Sequence, residues 1–280
     1  MSHTDISLAE VRSTITEGQP LVVSYTNSVT VSDVANATLH WGGLPVMSED
    51  RREAQDLMAM AGATLINMGT VNEASEERMI TAGRAATRAS VPVTFDPVGV
   101  GASETRTRVA ERIIDEVGLA IVKGNYGEIS ALAGEDAEVR GVESIGEYAE
   151  IGETAIACAR KTGAVVVASG ETDIVATDEH AFEVSGGHPR MGSFVGSGCL
   201  LGVTLATTVG ALGADNALDA AIAGTLLFGL AGEQAAADEP KGPASYKQAF
   251  LDTIAGLSPT SVESIDVANR VTKITSDDAK

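Results

Sequence analysis

The sequence predicts an α/β fold: a mostly parallel central sheet flanked by helices on both faces, with a helical C-terminal part. Three observations carry this expectation. Five short apolar runs, Leu21–Ser24, Thr64–Asn67, Val93–Asp96, Leu119–Val122 and Val165–Ala168, recur with amphipathic segments between them. The runs are apolar at nearly every position, as strands are when both faces of their sheet are covered. After Gly198 the strand signal stops and only helical patterns remain.

In chain order, Leu21–Ser24 leads into Tyr25-Thr26-Asn27 and a helix over Val31–His40. Gly42-Gly43-Leu44-Pro45-Val46-Met47 reads as a loop, closed by a helix over Arg51–Ala61. Thr64–Asn67 ends in Met68-Gly69-Thr70 and is followed by helix Ala74–Ala89. Val93–Asp96 runs into Pro97-Val98-Gly99-Val100-Gly101 and helix Glu104–Val117. Leu119–Val122 is followed by Lys123-Gly124-Asn125-Tyr126-Gly127-Glu128, and helix Ile145–Lys161 precedes Val165–Ala168. Ile174–Ala176 and Ala181–Val184 are short and β-prone, the pattern of a hairpin at the sheet edge. Helices are expected at Cys199–Leu212, Asn216–Ala237 and Ala244–Leu257, the last two parted by Asp238-Glu239-Pro240-Lys241-Gly242-Pro243. With no repeat and no long linker, residues 1–280 read as one domain with a polar, loosely held tail over 258–280.

Composition narrows the function. The net charge of −20, from 39 acidic and 19 basic residues without a basic cluster, argues against nucleic acid or an anionic membrane as partner. Glu10, Glu17, Glu76, Glu77, Glu111 and Glu116 fall on expected helix surfaces. Self-repulsion of this size is screened by salt, which points to a cytoplasmic protein of a salt-accumulating organism. Cys158 and Cys199 make no disulfide framework, and the four histidines lack metal-ligand spacing, so a zinc site is not expected. The N-terminus shows no basic region followed by an apolar run, so no signal peptide is expected. The longest apolar stretch, Cys199–Ala214, is shorter than the ~20 residues of a membrane span and reads as a buried helix.

Parallel sheets gather ligands at the carboxyl ends of their strands, and the polar and glycine-rich segments all fall there. Gly196-Ser197-Gly198-Cys199 feeds directly into a helix, a turn whose backbone N–H groups can converge on an anion. Cys199 stands at its lip, where the helix field favours thiolate; the alternative is a small residue packed at a helix start. Asp96 at a strand end suits a Mg²⁺-linked water or a phosphate-bearing ligand, or else simply initiates a turn. Asn125 and Glu128, three apart on a first helical turn, can hold phosphate and metal-bound water or can cap the helix. Lys123 can neutralise polyphosphate or remain a solvated strand-end lysine. Asn27 and Met47 could line an apolar pocket with one polar anchor, and Cys158 reads as core.

Taken together and in this order, these motifs resemble the hydroxyethylthiazole kinase family of the ribokinase-like group. The resemblance runs from about Pro20 to the helices beyond Cys199. It rests on Thr26-Asn27, Pro45-Val46-Met47, Asn67-Met68-Gly69-Thr70, Asp96-Pro97-Val98-Gly99-Val100-Gly101, Gly124-Asn125-Tyr126-Gly127-Glu128-Ile129 and Gly196-Ser197-Gly198-Cys199-Leu200-Leu201-Gly202. It implies transfer of the ATP γ-phosphoryl group to the hydroxyl of 4-methyl-5-(2-hydroxyethyl)thiazole, with Mg²⁺, in a homotrimer. By the resemblance, Cys199 stands where most ribokinase-like enzymes have an aspartate base, and Gly196 and Gly198 frame the anion hole. Asn27, Met47, Gly69 and Gly196 would contact the thiazole alcohol. Asp96 and Glu128 would orient Mg²⁺ through waters, while Lys123, Asn125 and Ser169 would meet the nucleotide. Three positions depart from the family pattern: Lys123 for Arg, Ser169 for Thr, and Val195 for a Thr that offers a phosphate contact. Alternatives are a kinase of hydroxymethylpyrimidine or a sugar alcohol, a dehydratase of hydrated NAD(P)H, and a non-catalytic sensor. Cys rather than Asp at 199 argues against the first two, and intact Asp96, Glu128 and Cys199 against the third.

Overall fold

A computed structural model describes residues 6–134 and 147–274. Its helices and strands run in chain order: α1 Leu8–Gly18, β1 Leu21–Tyr25, α2 Val31–His40, β2 Leu44–Met47, α3 Ala54–Met58, β3 Ala63–Asn67, α4 Glu73–Ala89, β4 Val93–Asp96, α5 Glu104–Glu116 and β5 Ile121–Asn125. Then come α6 Tyr126–Ala133, α7 Glu147–Thr162, β6 Val165–Ser169, β7 Asp173–Ala176, β8 Ala181–Val184, α8 Ser197–Leu212, α9 Ala217–Ala237, α10 Pro243–Gly256, α11 Pro259–Val262 and β9 Val271–Lys273. The expected start of α7 at Ile145 lies outside the described residues.

The strands form one sheet in the order β2-β1-β3-β4-β5-β6-β7-β8-β9, parallel through β6 and antiparallel beyond it. Neighbouring residues explain the continuous apolar runs. Val22, Leu65, Ile121, Val167 and Val175 pack into one core with α1, α2, α8, α9 and α10. Val23, Ile66, Val122, Val166 and Ile174 pack into the other, with α3 to α7. Because side chains alternate between faces, a strand buried on both sides needs an apolar residue at each step. Helix α9 is long and apolar enough to span a membrane by composition, yet it is largely buried in the protein core.

Several expectations need correction. The loop expected to carry Met47 is the edge strand β2, where Pro45 is tolerated because an edge strand has a free side. Helix α1 was not anticipated, although Leu8, Val11 and Ile15 recur at helical spacing behind an N-capping Ser7. Strand β5 starts two residues later than expected and continues through Lys123, because pairing with β6 extends to Asn125↔Ser169. The hairpin β7–β8 is not at the edge, because β9 pairs outside it. The segment expected to be loose from Ser258 instead packs: Val262, Val267 and Val271 are buried, and only 275–280 lie outside the described residues.

Glu76, expected on a helix surface, is buried between α4 and α5 and receives Arg108 through two bonds of 2.8 and 2.9 Å and Arg112 at 2.8 Å. Arg108 and then Arg112 hold its carboxyl down at about 2, against burial, which pushes the other way. A depressed carboxyl stabilises the fold fully above its unfolded pKa and loses that contribution as pH falls through the folded value. Glu76→Gln should therefore cost about 1–2 kcal/mol at neutral pH. Its urea stability should converge on the parent's as pH falls from about 5 toward 2. Curves that stay parallel over that window would remove Glu76 from the account.

Candidate active site

Strand parity decides which polar side chains meet. Leu65 and Ile121 pack toward α8, so Asn67 and Lys123, two residues further along, face the same way at the carboxyl ends of β3 and β5. On β4, Val93 and Phe95 belong to the opposite core, which turns Asp96 toward α8. Asn67 pairs with Asp96 across the ladder, and Phe95↔Val122 brings Asp96 alongside Lys123. Asn27 follows β1, so the group lies where strand order reverses between β1 and β3, the crevice such sheets leave open to ligands.

Helix α8 begins over this group. Gly196 precedes it with φ at +100°, and a Cβ there would lie 2.7 Å from Thr30 Cγ2. A Cβ at Gly198 would lie 2.8 Å from Lys123 Nζ, and one at Gly202 would lie 3.3 Å from Asp96 Oδ2. Glycines one turn apart thus let the helix rest directly on the charged pair. No side chain caps α8, so its first-turn N–H groups and the positive end of its dipole remain available to an anion.

Every residue expected at the site except Met47 lines one cavity of about 470 Å³: Asn27, Gly69, Asp96, Lys123, Asn125, Glu128, Ser169, Gly196, Gly198 and Cys199. Met47 ends β2 and is half-buried against the core on the α8 side. Asn125 caps α6: its Oδ1 accepts from Glu128 N at 2.8 Å while Glu128 Oε2 accepts from Asn125 N at 2.8 Å. The capping reading therefore holds, but Glu128 Oε1 also accepts from Gly99 N at 2.7 Å and so ties the β4–α5 loop to α6. The Ser169 hydroxyl donates to Gly124 O at 3.3 Å.

Asp96 is fully buried. Its Oδ2 accepts from Asn67 Nδ2 at 2.7 Å, and its Oδ1 has no hydrogen-bond partner, only Lys123 Nζ at 3.7 Å. Burial pushes its carboxyl up to about 7, against the pull of Lys123. Burial also works against the Lys123 ammonium, but Asp96 and Glu128 outweigh it and hold its pKa above the ordinary value. Cys199 corrects the thiolate expectation. Burial first, then the Asp96 charge, raise the thiol above its ordinary pKa, and hydrogen bonds from Thr30 and Asn67 do not reverse this.

The unpartnered, buried Oδ1 of Asp96 and the nearby Glu128 carboxylate form a hard oxygen donor set. Two carboxylates are what Mg²⁺ uses when waters and substrate phosphates complete its shell. Among the described residues no group of three or more His, Cys, Asp or Glu side chains is arranged to hold a metal without such help.

Sequence reasoning missed two residues here. Asn67 is buried and bonds Asp96, Asn27, Gly69 and Cys199. Its signal was an amide ending an apolar strand two residues before a glycine. Arg106 donates to Val98 O at 2.5 Å, Met68 O at 3.1 Å and Gly69 O at 2.8 Å, clamping the loops after β3 and β4 together. Nothing in its sequence context sets it apart from the other arginines of α5.

A family model described as the hydroxyethylthiazole kinase family matches residues 13–260. A curated hydroxyethylthiazole kinase of Natronomonas pharaonis is 59% identical, covering 98% of this chain and 100% of that relative. One from Haloquadratum walsbyi is 52% identical over 93% of this chain and 91% of that relative. A solved hydroxyethylthiazole kinase of Pyrococcus horikoshii OT3 superposes with a TM-score of 0.85 at 30% identity, covering 96% of this chain and 99% of that one.

Proposed function

Because this chain belongs to the hydroxyethylthiazole kinase family, we propose how its own residues divide the work of that reaction. The enzyme phosphorylates the hydroxyl of 4-methyl-5-(2-hydroxyethyl)thiazole with ATP, giving the thiazole phosphate used in thiamine salvage. In the transfer, the alcohol oxygen bonds to the γ-phosphorus as the bond to the ADP bridging oxygen breaks. Such a transition state needs in-line positioning and charge neutralisation more than covalent help.

The single observation that carries the assignment is the meeting of the Gly196–Gly198 turn, Cys199, Asp96 and Lys123 on one cavity. The first turn of α8 receives the transferred phosphoryl oxygens, and Lys123, buried beneath Gly198, offsets their charge. Asn27 and Gly69 face the acceptor, while Ser169 and Asn125 face the nucleotide at the β5–β6 side. Asp96 and Glu128 would hold Mg²⁺, which when bound neutralises polyphosphate charge. Cys199 orients the alcohol, and in its thiolate form takes the alcohol proton late and becomes the thiol, because the alcohol becomes strongly acidic only as the new P–O bond forms. Because burial and Asp96 raise its pKa, that thiolate is the minor form near neutral pH.

We further place the chain as one domain in a cytoplasmic homotrimer. Both cysteines are free thiols and the donor is ATP, which supports the compartment. Exposed Val31, Leu39 and Leu44 lie along α2 and the edge strand β2, which supports a subunit contact there. Across it Met47 would reach a neighbour's acceptor pocket.

The test is ADP release coupled to a reporter, with the thiazole alcohol, Mg²⁺ and ATP in high KCl. Turnover that depends on the thiazole and exceeds that with hydroxymethylpyrimidine or sugar alcohols is expected; tight binding without turnover would favour a sensor. Two relatives come from halophiles, and the melting temperature should rise between dilute and molar KCl, with light scattering reporting a trimer. An unchanged melting temperature would sink the salt reading.

A further inference from the structure

We propose that Asn67 is a positioning residue for phosphoryl transfer: its one amide nitrogen ties Cys199 to Asp96, so that the proton acceptor and the carboxylate keep a fixed relation. The inference rests on the reading of Cys199 as proton acceptor given above.

The side chain has the right chemistry on both of its arms. Nδ2 donates to Asp96 Oδ2 at 2.7 Å and to Cys199 Sγ at 3.3 Å, using both of its hydrogens on the site. Oδ1 accepts from Gly69 N at 3.0 Å and from Asn27 Nδ2 at 2.8 Å. The orientation of the amide follows from its partners. A backbone N–H can only donate, so the atom facing Gly69 is the oxygen, and the nitrogen necessarily faces the carboxylate and the sulfur.

No other side chain supplies this set. Asp has the shape but no donor, Ser and Thr have a single hydrogen, and Gln is one methylene too long for a site in which Asn67 is 2% exposed. Asn27 Nδ2 also lies 3.5 Å from the sulfur, but its two hydrogens serve Asn67 Oδ1 at 2.8 Å and Thr30 Oγ1 at 2.9 Å, which leaves Asn67 as the amide that donates to Sγ. A shared amide also means that a shift of Asp96 is transmitted to Cys199, and Gly69, on the acceptor side of the cavity, is held in the same network.

The two arms can be separated by experiment. Asn67→Asp keeps an oxygen for Gly69 and Asn27 but removes both donors, whereas Asn67→Ala removes everything. Each is measured for kcat and for both KM values, in the parent and in the Cys199→Ala background. In the parent, both substitutions should lower kcat by about tenfold or more with little change in ATP KM. In the Cys199→Ala background most of that loss should vanish, because the group being positioned is gone. Losses that multiply undiminished across the two backgrounds would overturn the proposal, as would a parent-like kcat for Asn67→Asp. So would loss of the native circular dichroism spectrum in both variants, which would make Asn67 a folding residue. Failure of the underlying reading shows separately, as a Cys199→Ala enzyme that retains the parent kcat.

Discussion

Asp96→Asn is expected to lower kcat by about 10²–10³-fold while making the ligand-free protein more stable above neutral pH. The two effects have one cause. Asp96 is fully buried on the α8 face, its Oδ1 lacks a hydrogen-bond partner, and burial pushes its carboxyl up to about 7. An unfolded aspartate ionises near ~3.9, so between about pH 4 and pH 7 the folded state holds a proton that the unfolded state has released. A raised carboxyl therefore favours folding below its unfolded pKa, and that advantage fades as pH rises to the folded value. The parent should lose urea stability across this window, and the Asn variant, with nothing to titrate, should not. Catalysis runs the other way, because the negative oxygen that burdens the empty fold is the one that would meet Mg²⁺. An Asn variant with the parent kcat, or two stability profiles of equal slope from pH 4 to pH 7, would count against this account.

Cys199→Ala is the second large effect: kcat should fall by about 10²-fold with little change in ATP KM. The magnitude sits at the low end for general bases because the proton leaves late in a loose transition state. The thiol is also raised by burial and by Asp96, so Cys199 should be alkylated by iodoacetamide only at more alkaline pH than an unstructured cysteine. Cys158 is a useful contrast: it is buried in α7 and pushed up to about 12, and should stay unlabelled in the folded protein. An unchanged kcat would remove Cys199 from the chemistry, and rapid labelling near neutral pH would restore the thiolate that the helix field alone suggested.

The fold was largely legible because its strands are buried on both faces, which writes an unbroken apolar run into the chain for each of β1, β3, β4, β5 and β6. Strand β2 was not legible. Its four residues are apolar, but Pro45 sits inside them directly after Gly42-Gly43-Leu44, a pattern that reads as a loop and is tolerated in a strand only because β2 is at the edge. Strand β9 is a three-residue piece with one buried side chain, and only its neighbour β8 makes it a strand. Glu76 looked like one more surface acid, since the arginines that bury it arrive from the next helix but one strand away in sequence.

For the site, the sequence by itself determined the chemistry-bearing residues and their order along one rim. Glycine-rich turns, strand-end acids and a lone lysine are local signals, each set by what the backbone needs where a strand stops. Tertiary structure alone decided how they couple. Strand parity turned Asn67, Asp96 and Lys123 to one face, and the register brought Asn67 beside Asp96. The bare Gly198–Gly202 edge let α8 settle onto Lys123 and Asp96. Burial then set the protonation of Asp96 and Cys199, because the cost of a charge depends on the dielectric around it, and a sequence does not contain its own surroundings.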